Sequence, residues 1–144
     1  MKTLTALRSQ KSAFTLIEIM LVIIIIVALM AVLLPNLQHA MGDAKQGQAE
    51  IYITQIKGSL AQYEMMNNIP PSTSQGLRAL IEMPSGEPHP RKWRAMMDKI
   101  EPDPWGVNYF YEFPGKHNPK GFDIFSAGPD RQPHTDDDVG NWEK

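Results

Sequence analysis

The chain of 144 residues contains no cysteine. It can therefore close no disulfide and offers no thiol nucleophile. Other catalytic signatures are missing too: there is no H-E-x-x-H, no G-x-S-x-G and no glycine-rich phosphate loop. Its four histidines, His39, His89, His117 and His134, are scattered along the chain. An acidic run near the end could hold a catalytic Mg²⁺, but neither a base nor a phosphate-binding element accompanies it, so an enzyme is not expected. A net charge of −2 is not that of a dedicated nucleic-acid binder. The length does not suffice for two full domains. Internal repeats and low-complexity tracts are absent. Proline is nearly absent from the first half, where Pro35 is the sole example before position 70, and the other 11 lie at or beyond it.

What is present is unevenly distributed. In the stretch from Phe14 to Leu34, 19 of 21 residues are hydrophobic. As a helix it would be roughly 32 Å long, enough to cross a bilayer core of about 30 Å. It is apolar all round, and a remainder of this size could hardly bury such a helix, so a membrane span is expected. The preceding segment carries Lys2, Arg8 and Lys11 without an acidic residue, which by the positive-inside rule stays cytoplasmic. A cleaved secretory signal is excluded by the length of the run and by Pro35-Asn36-Leu37 where a small-residue cleavage site would stand. The rest of the chain then lies outside the cytoplasm, where the missing disulfide calls for another staple.

Glu18 lies inside the apolar run. A carboxylate at the bilayer centre costs about 2.5 to 3.5 kcal/mol, which marks it as a functional candidate. One turn from the start of the run, it can equally sit near the interface and favour the positive end of the helix dipole.

Beyond Pro35, where a kink or local unwinding near residues 32–36 is expected, the pattern becomes amphipathic. Ala49, Ile53, Ile56, Leu60 and Tyr63 fall at spacings of 4, 3, 4 and 3 on one helical face, which should dock on a sheet. Asn67-Asn68-Ile69-Pro70-Pro71 ends the helix. Ser72 to Gln75 reads as a capping box for a short helix through about Met83 that packs Leu77, Leu80 and Ile81. The proline-rich segment from Pro84 to Pro104 reads as irregular loop. Residues 107–113 form one strand candidate, with Val107, Tyr109, Tyr111 and Phe113 on one face and Phe110 on the other, and residues 122–126 form a second. Asp103-Pro104-Trp105-Gly106 makes the entry turn.

The tail from Gly128 to Trp142 includes Asp136-Asp137-Asp138. Adjacent carboxylates repel unless solvated or neutralised, and oxygen-rich clusters suit hard cations such as Ca²⁺. The spacing is not that of an EF-hand. From the residues alone, a solvated acidic turn and a cation site both stand.

Two groups of motifs resemble a known family. Ser12-Ala13-Phe14-Thr15-Leu16-Ile17-Glu18-Ile19-Met20, after a short basic leader, is similar to the class III signal of type IV pilins and pseudopilins. Gln75-Gly76-Leu77, Asp103-Pro104-Trp105-Gly106, Pro114-Gly115-Lys116-His117, Asp123-Ile124-Phe125-Ser126, Gly128-Pro129-Asp130 and Asp136 to Trp142 resemble the major pseudopilins of the type II secretion system. The likeness runs from Phe14 to Trp142 and is weakest at about residues 85–100. It implies an α+β fold, a long N-terminal helix with a transmembrane half and an amphipathic half packed on a small antiparallel sheet, closed by a calcium-stabilised C-terminal loop. The implied parts are a leader, 1–13, a transmembrane and polymerisation helix, 14–34, and a periplasmic head, 35–144.

The resemblance also implies chemistry. A prepilin peptidase would cut between Ala13 and Phe14 and methylate the new amine of Phe14, although the family's usual residue before the cut is Gly. Glu18 would meet the terminal amine of a neighbouring copy during assembly. Ca²⁺ would be bound by Asp130, Asp137 and Asp138, with main-chain oxygens of Ala127 and Gln132 as further candidates, Asp136 outside the first ring of ligands, and His134 turned to solvent. The implied product is a homopolymer that drives protein export through the outer membrane. Its implied partners are minor pseudopilins, the inner-membrane platform and its assembly ATPase, with a single-pass inner-membrane precursor and no nucleic acid. A type IV pilus subunit for adhesion, motility or DNA uptake is the alternative. Against it stand the missing disulfide and the charge of residues 14–144, 11 basic and 16 acidic or −5 net, which leaves no basic face for DNA.

Overall fold

The computed structural model describes residues 14–143. The leader, with Ala13, lies outside the described residues. One helix, α1 (Leu16–Asn67), is followed by a 3₁₀ turn (Leu77–Leu80) and three short strands, β1 (Phe110–Glu112), β2 (Asp123–Ser126) and β3 (Val139–Gly140). The chain divides into two compact units, Met1–Ala40 and Met41–Lys144.

The described part of the first unit, residues 14–40, is exposed at every position. Among the described residues α1 is the one helix long and apolar enough to cross a membrane, and none of its most apolar window is buried within the protein. Its first turn is capped by Thr15, whose Oγ1 accepts the Glu18 N–H at 3.3 Å. The expected unwinding near residues 32–36 does not occur. The helix runs through Pro35, and Asn36 Nδ2 donates to the Val32 carbonyl at 3.1 Å. Proline removes one N–H from the ladder, and the Ala and Leu residues before it are strong helix formers that sustain the rest.

The second unit is built on the amphipathic stretch of α1. Ala49, Ile53, Ile56, Leu60 and Tyr63, the face read from the spacing, are each at most 3% exposed. They pack with Leu77, Ala79, Leu80, Tyr109, Tyr111, Ile124 and Val139. Burying each Ile or Leu side chain contributes about 1.5–3 kcal/mol, so this face anchors the unit. The helix stops as its sequence indicates. Asn68 takes the left-handed conformation at φ 63°, and Asn67 Oδ1 accepts the Lys92 N–H at 2.9 Å.

The expected short helix through Met83 is instead a turn and a 3₁₀ segment. The capping box forms: Ser72 N–H donates to Gln75 Oε1 at 3.0 Å, and Gln75 N–H to Ser72 Oγ at 3.3 Å. Gly76 then turns at φ 59°, which an α-helix cannot accommodate, and the helical path restarts only at Leu77.

The first strand candidate is shorter than expected because Val107 is consumed by the entry turn. Asp103 N–H donates to the Val107 carbonyl at 2.8 Å, and Asp103 Oδ1 accepts the Val107 N–H at 2.8 Å. The sheet is antiparallel in the order β1-β2-β3, with Tyr111 opposite Ile124 and Phe125 opposite Gly140. β3 was not anticipated as a strand: it is the end of the acidic tail, too short to show alternation. Tyr109 and Tyr111 face the core as read, and Phe110 on the other face stacks on Phe125 at 5.1 Å.

Candidate functional site

The second face of the sheet positions the acidic tail. Phe125 is 2% exposed, and besides Phe110 it is covered by His134, 5.3 Å away between ring centroids, and by Trp142 at 5.6 Å. The tail thus crosses the back of β2 and returns to it as β3.

Two buried carboxylates secure the ends of this arrangement. Asp103 Oδ1 accepts the N–H groups of Trp105 and Val107, while Oδ2 accepts the Ser126 hydroxyl, whose Oγ also accepts the Gly128 N–H. Asp123, 1% exposed, accepts the N–H groups of His117 at 2.7 Å and Asn118 at 3.0 Å, and Asn118 Nδ2 at 2.8 Å. Asn141 completes the frame as a side-chain substitute for a strand partner. Its Oδ1 accepts the Ile124 N–H and its Nδ2 donates to the Phe122 carbonyl.

Between these fixtures runs the loop 127–138. Ala127 is fully buried at its start. Gly128 sits at φ 64°, and a Cβ there would lie 2.4 Å from the Asp137 carbonyl oxygen, so only glycine lets the two passes of chain approach. The Asp130 N–H donates to Asp137 Oδ2 at 3.1 Å, which ties the first candidate ligand to the second. Asp130 Oδ1 turns back to the Gln132 N–H at 2.8 Å. The Thr135 hydroxyl donates to Asp137 Oδ1 at 2.5 Å and lies 3.1 Å from the Gln132 carbonyl oxygen and 3.5 Å from Asp138 Oδ1. Asp138, 3% exposed, accepts the His134 N–H through Oδ2 at 2.8 Å. Asp130 and Asp136 are exposed.

The loop therefore draws Asp137 and Asp138 together around Thr135 and joins Asp130 to Asp137. Among the described residues no three His, Cys, Asp or Glu side chains converge closely enough to form a ready metal cluster. The chemistry of the donors nonetheless fits a hard cation. Carboxylate, hydroxyl and carbonyl oxygens are all in one short loop, and burial of the Asp138 charge is costly without a compensating positive one. Histidine is not needed as a ligand, and His134 is engaged elsewhere, against Phe125 and 3.3 Å from Glu112 Oε1. It is not turned wholly to solvent.

At the other end of the chain, Phe14 is 76% exposed and Glu18 is exposed in the first turn of α1. Thr15, Thr135, Asp123 and Asn141 escaped the sequence reading as site residues. Thr15 had a signal in Thr15-x-x-Glu18, the capping spacing before an apolar run. The others act through contacts that no local pattern announces.

Relatives match the sequence of this chain along nearly its whole length. The family described as Type II secretion system (T2SS), protein G, matches residues 36–142. The type II secretion system core protein G of Pectobacterium carotovorum subsp. carotovorum is 41% identical over 135 residues, which cover 92% of this chain and 85% of the relative. That of Pseudomonas aeruginosa is 40% identical over 141 residues, covering 94% and 98%. The crystal structure of the major pseudopilin from the type 2 secretion system of enterohaemorrhagic Escherichia coli superimposes with a TM-score of 0.70 at 38% identity, covering 75% of this chain and 91% of that one.

Proposed function

The chain belongs to the type II secretion system protein G family, and from that membership we propose how this structural subunit of the pseudopilus is stored, processed and held in shape. The observation that carries the reading is the contrast along α1. Its first half leaves every side chain uncovered, while the stretch from Ala49 to Tyr63 is the floor of a finished core. A fully apolar surface of that length needs a lipid or protein environment, and a storage membrane followed by a filament of identical copies supplies both in turn.

In this reading the precursor spans the inner membrane once, with the basic leader in the cytoplasm and the head in the periplasm. The prepilin peptidase cuts between Ala13 and Phe14, and the amine of Phe14 is methylated. Helices then bundle into a homopolymer, aided by the platform, its ATPase and the minor pseudopilins. Glu18 meets the amine of a neighbouring Phe14, since two opposite charges leaving water together lose far less than either alone. The subunit does mechanical work for export and performs no catalysis. The secretion reading is favoured over a type IV pilus subunit by the protein G match.

We assign a Ca²⁺ ion to the loop, held by Asp130, Asp137 and Asp138 with the carbonyls of Ala127 and Gln132. Bound there, the ion supplies positive charge that offsets the repulsion of the adjacent carboxylates and cross-links the tail. It is the staple that the missing cysteines leave open. Asp136, exposed, stays outside the first ring of ligands.

Mass spectrometry of the membrane-extracted protein tests the processing. A mature chain beginning at N-methylated Phe14 is expected. An intact Met1, or a cut beyond Leu34, overturns the reading.

A further inference from the structure

His134 is the point where the acidic loop is fastened to the sheet. Its backbone takes the left-handed conformation at φ 70°, a costly choice for a residue with a Cβ. Its ring lies over Phe125 of β2, and its Nε2 is 3.3 Å from Oε1 of Glu112 on β1. The Glu112 side chain is only 23% exposed, although its residue lies on a three-residue strand at the edge of the sheet. Lys116 Nζ stands 3.3 Å from the same carboxylate oxygen and 3.1 Å from His134 Nε2. The three polar groups thus form a compact triangle in which the carboxylate offsets the cation. Either tautomer of the ring keeps it tied there, donating to Glu112 or accepting from Lys116.

The consequence reaches the acidic cluster through the main chain. With its ring pinned, His134 directs its own N–H at Asp138 Oδ2, 2.8 Å away. That bond commits one oxygen of Asp138 and leaves Oδ1, on the Thr135 side, as the one to offer a cation. We propose that Glu112 and His134 are a positioning pair, a latch between β1 and the loop that sets the Asp138 carboxylate for calcium while neither residue touches the ion. The proposal rests on the calcium reading of this loop. It gives His134 a task that its side-chain chemistry, poor for calcium, does not suggest.

Outer partners that orient a ligand are worth roughly tenfold or more in metal affinity, and two residues that act through one contact do not add. The test is calorimetric titration of Ca²⁺ into the full chain in detergent micelles after chelator treatment, for wild type, Glu112→Ala, His134→Gly and the double variant. Glycine at 134 removes the ring while suiting the positive φ, so that backbone strain is not the cause of any loss. Each single variant should bind Ca²⁺ about tenfold more weakly with its near-ultraviolet circular dichroism intact, and the double variant should also be about tenfold weaker rather than about a hundredfold. Single variants that bind as tightly as wild type, or losses that multiply, overturn the latch while leaving the calcium site standing. A wild-type chain that takes up no calcium overturns both, and the two failures are distinguished by that arm alone.

Discussion

Replacing Asp123 by alanine removes a carboxylate that organises the loop between β1 and β2. The side chain is 1% exposed and accepts three N–H groups, from the main chains of His117 and Asn118 and from Asn118 Nδ2, at 2.7 to 3.0 Å. Hydrogen bonds to a charged acceptor contribute about 1.5–3 kcal/mol each, and a buried donor left without a partner loses its solvation as well. His117 is exposed and Asn118 half-buried, so water can reach some of the abandoned donors. A total loss of about 3 kcal/mol is therefore expected rather than the full sum. For a unit of this size each kcal/mol moves Tm by about 4–8 °C, which gives a fall of roughly 12–24 °C.

Gly115 supplies an internal control. A Cβ at that position would lie 2.5 Å from Asp123 Oδ1 and 2.9 Å from the Asp123 nitrogen, so Gly115→Ala must displace the same carboxylate. Gly115→Ala should lower Tm, and combined with Asp123→Ala it should cost less than the sum, because the oxygen it strikes is gone. The assay is thermal unfolding of residues 41–144 followed by near-ultraviolet circular dichroism, with Asp123→Asn as the isosteric comparison. A Tm for Asp123→Ala within about 3 °C of wild type, or strictly additive losses, would refute the reasoning.

Three further outcomes follow from the same core and loop. Leu60, fully buried, should cost about 2–5 kcal/mol as Leu60→Ala, read as a lower urea midpoint with unchanged slope; a change in slope instead would mean that more than packing was lost. Gly128→Ala forces a Cβ toward the Asp137 carbonyl at a positive φ, and should detach the loop from the sheet, seen as altered Trp142 fluorescence; an unchanged spectrum contradicts the close approach. Tyr109 is pushed up to about 12 by burial first and then by the charge of Asp103, and Tyr111 is raised in the same direction by burial and then by Glu64. A phenol whose folded value lies above its unfolded one keeps its proton more tightly when folded. The stabilisation is complete below pH of about 10 and is lost as pH rises toward about 12. Melting curves across that interval, with phenolate absorbance recorded alongside, should fall together; ionisation near pH 10 without loss of Tm would contradict the burial.

The helical part of the fold was legible because its signals are periodic and long. The spacing of Ala49, Ile53, Ile56, Leu60 and Tyr63 fixes one face without reference to anything distant, and Asn68 supplies the left-handed stop that the Asn67-Asn68-Ile69-Pro70-Pro71 stretch announces. The short helix expected through Met83 is cut to a turn and a 3₁₀ segment because a capping box specifies how a helix begins and says nothing of the φ four residues on. β3 was invisible since two residues, Val139 and Gly140, carry no alternation. Its pairing depends on Asn141 and Trp142 reaching β2 and the Pro114–Gly121 loop. The site behaved similarly. Three aspartates drew notice through their charge, whereas Glu112, 18 residues before Asp130, acts on the loop only after the sheet has formed.

The claim that α1 is left uncovered in order to assemble is tested most directly by in-membrane formaldehyde cross-linking of the chain in cells that carry the secretion machinery, comparing wild type with Glu18→Ala. Wild type should give a ladder of dimers, trimers and higher multimers. Glu18→Ala should insert and be cleaved normally yet remain monomeric, with export impaired. A wild-type chain that stays monomeric, or a Glu18→Ala chain that forms the same ladder and secretes normally, would contradict the account.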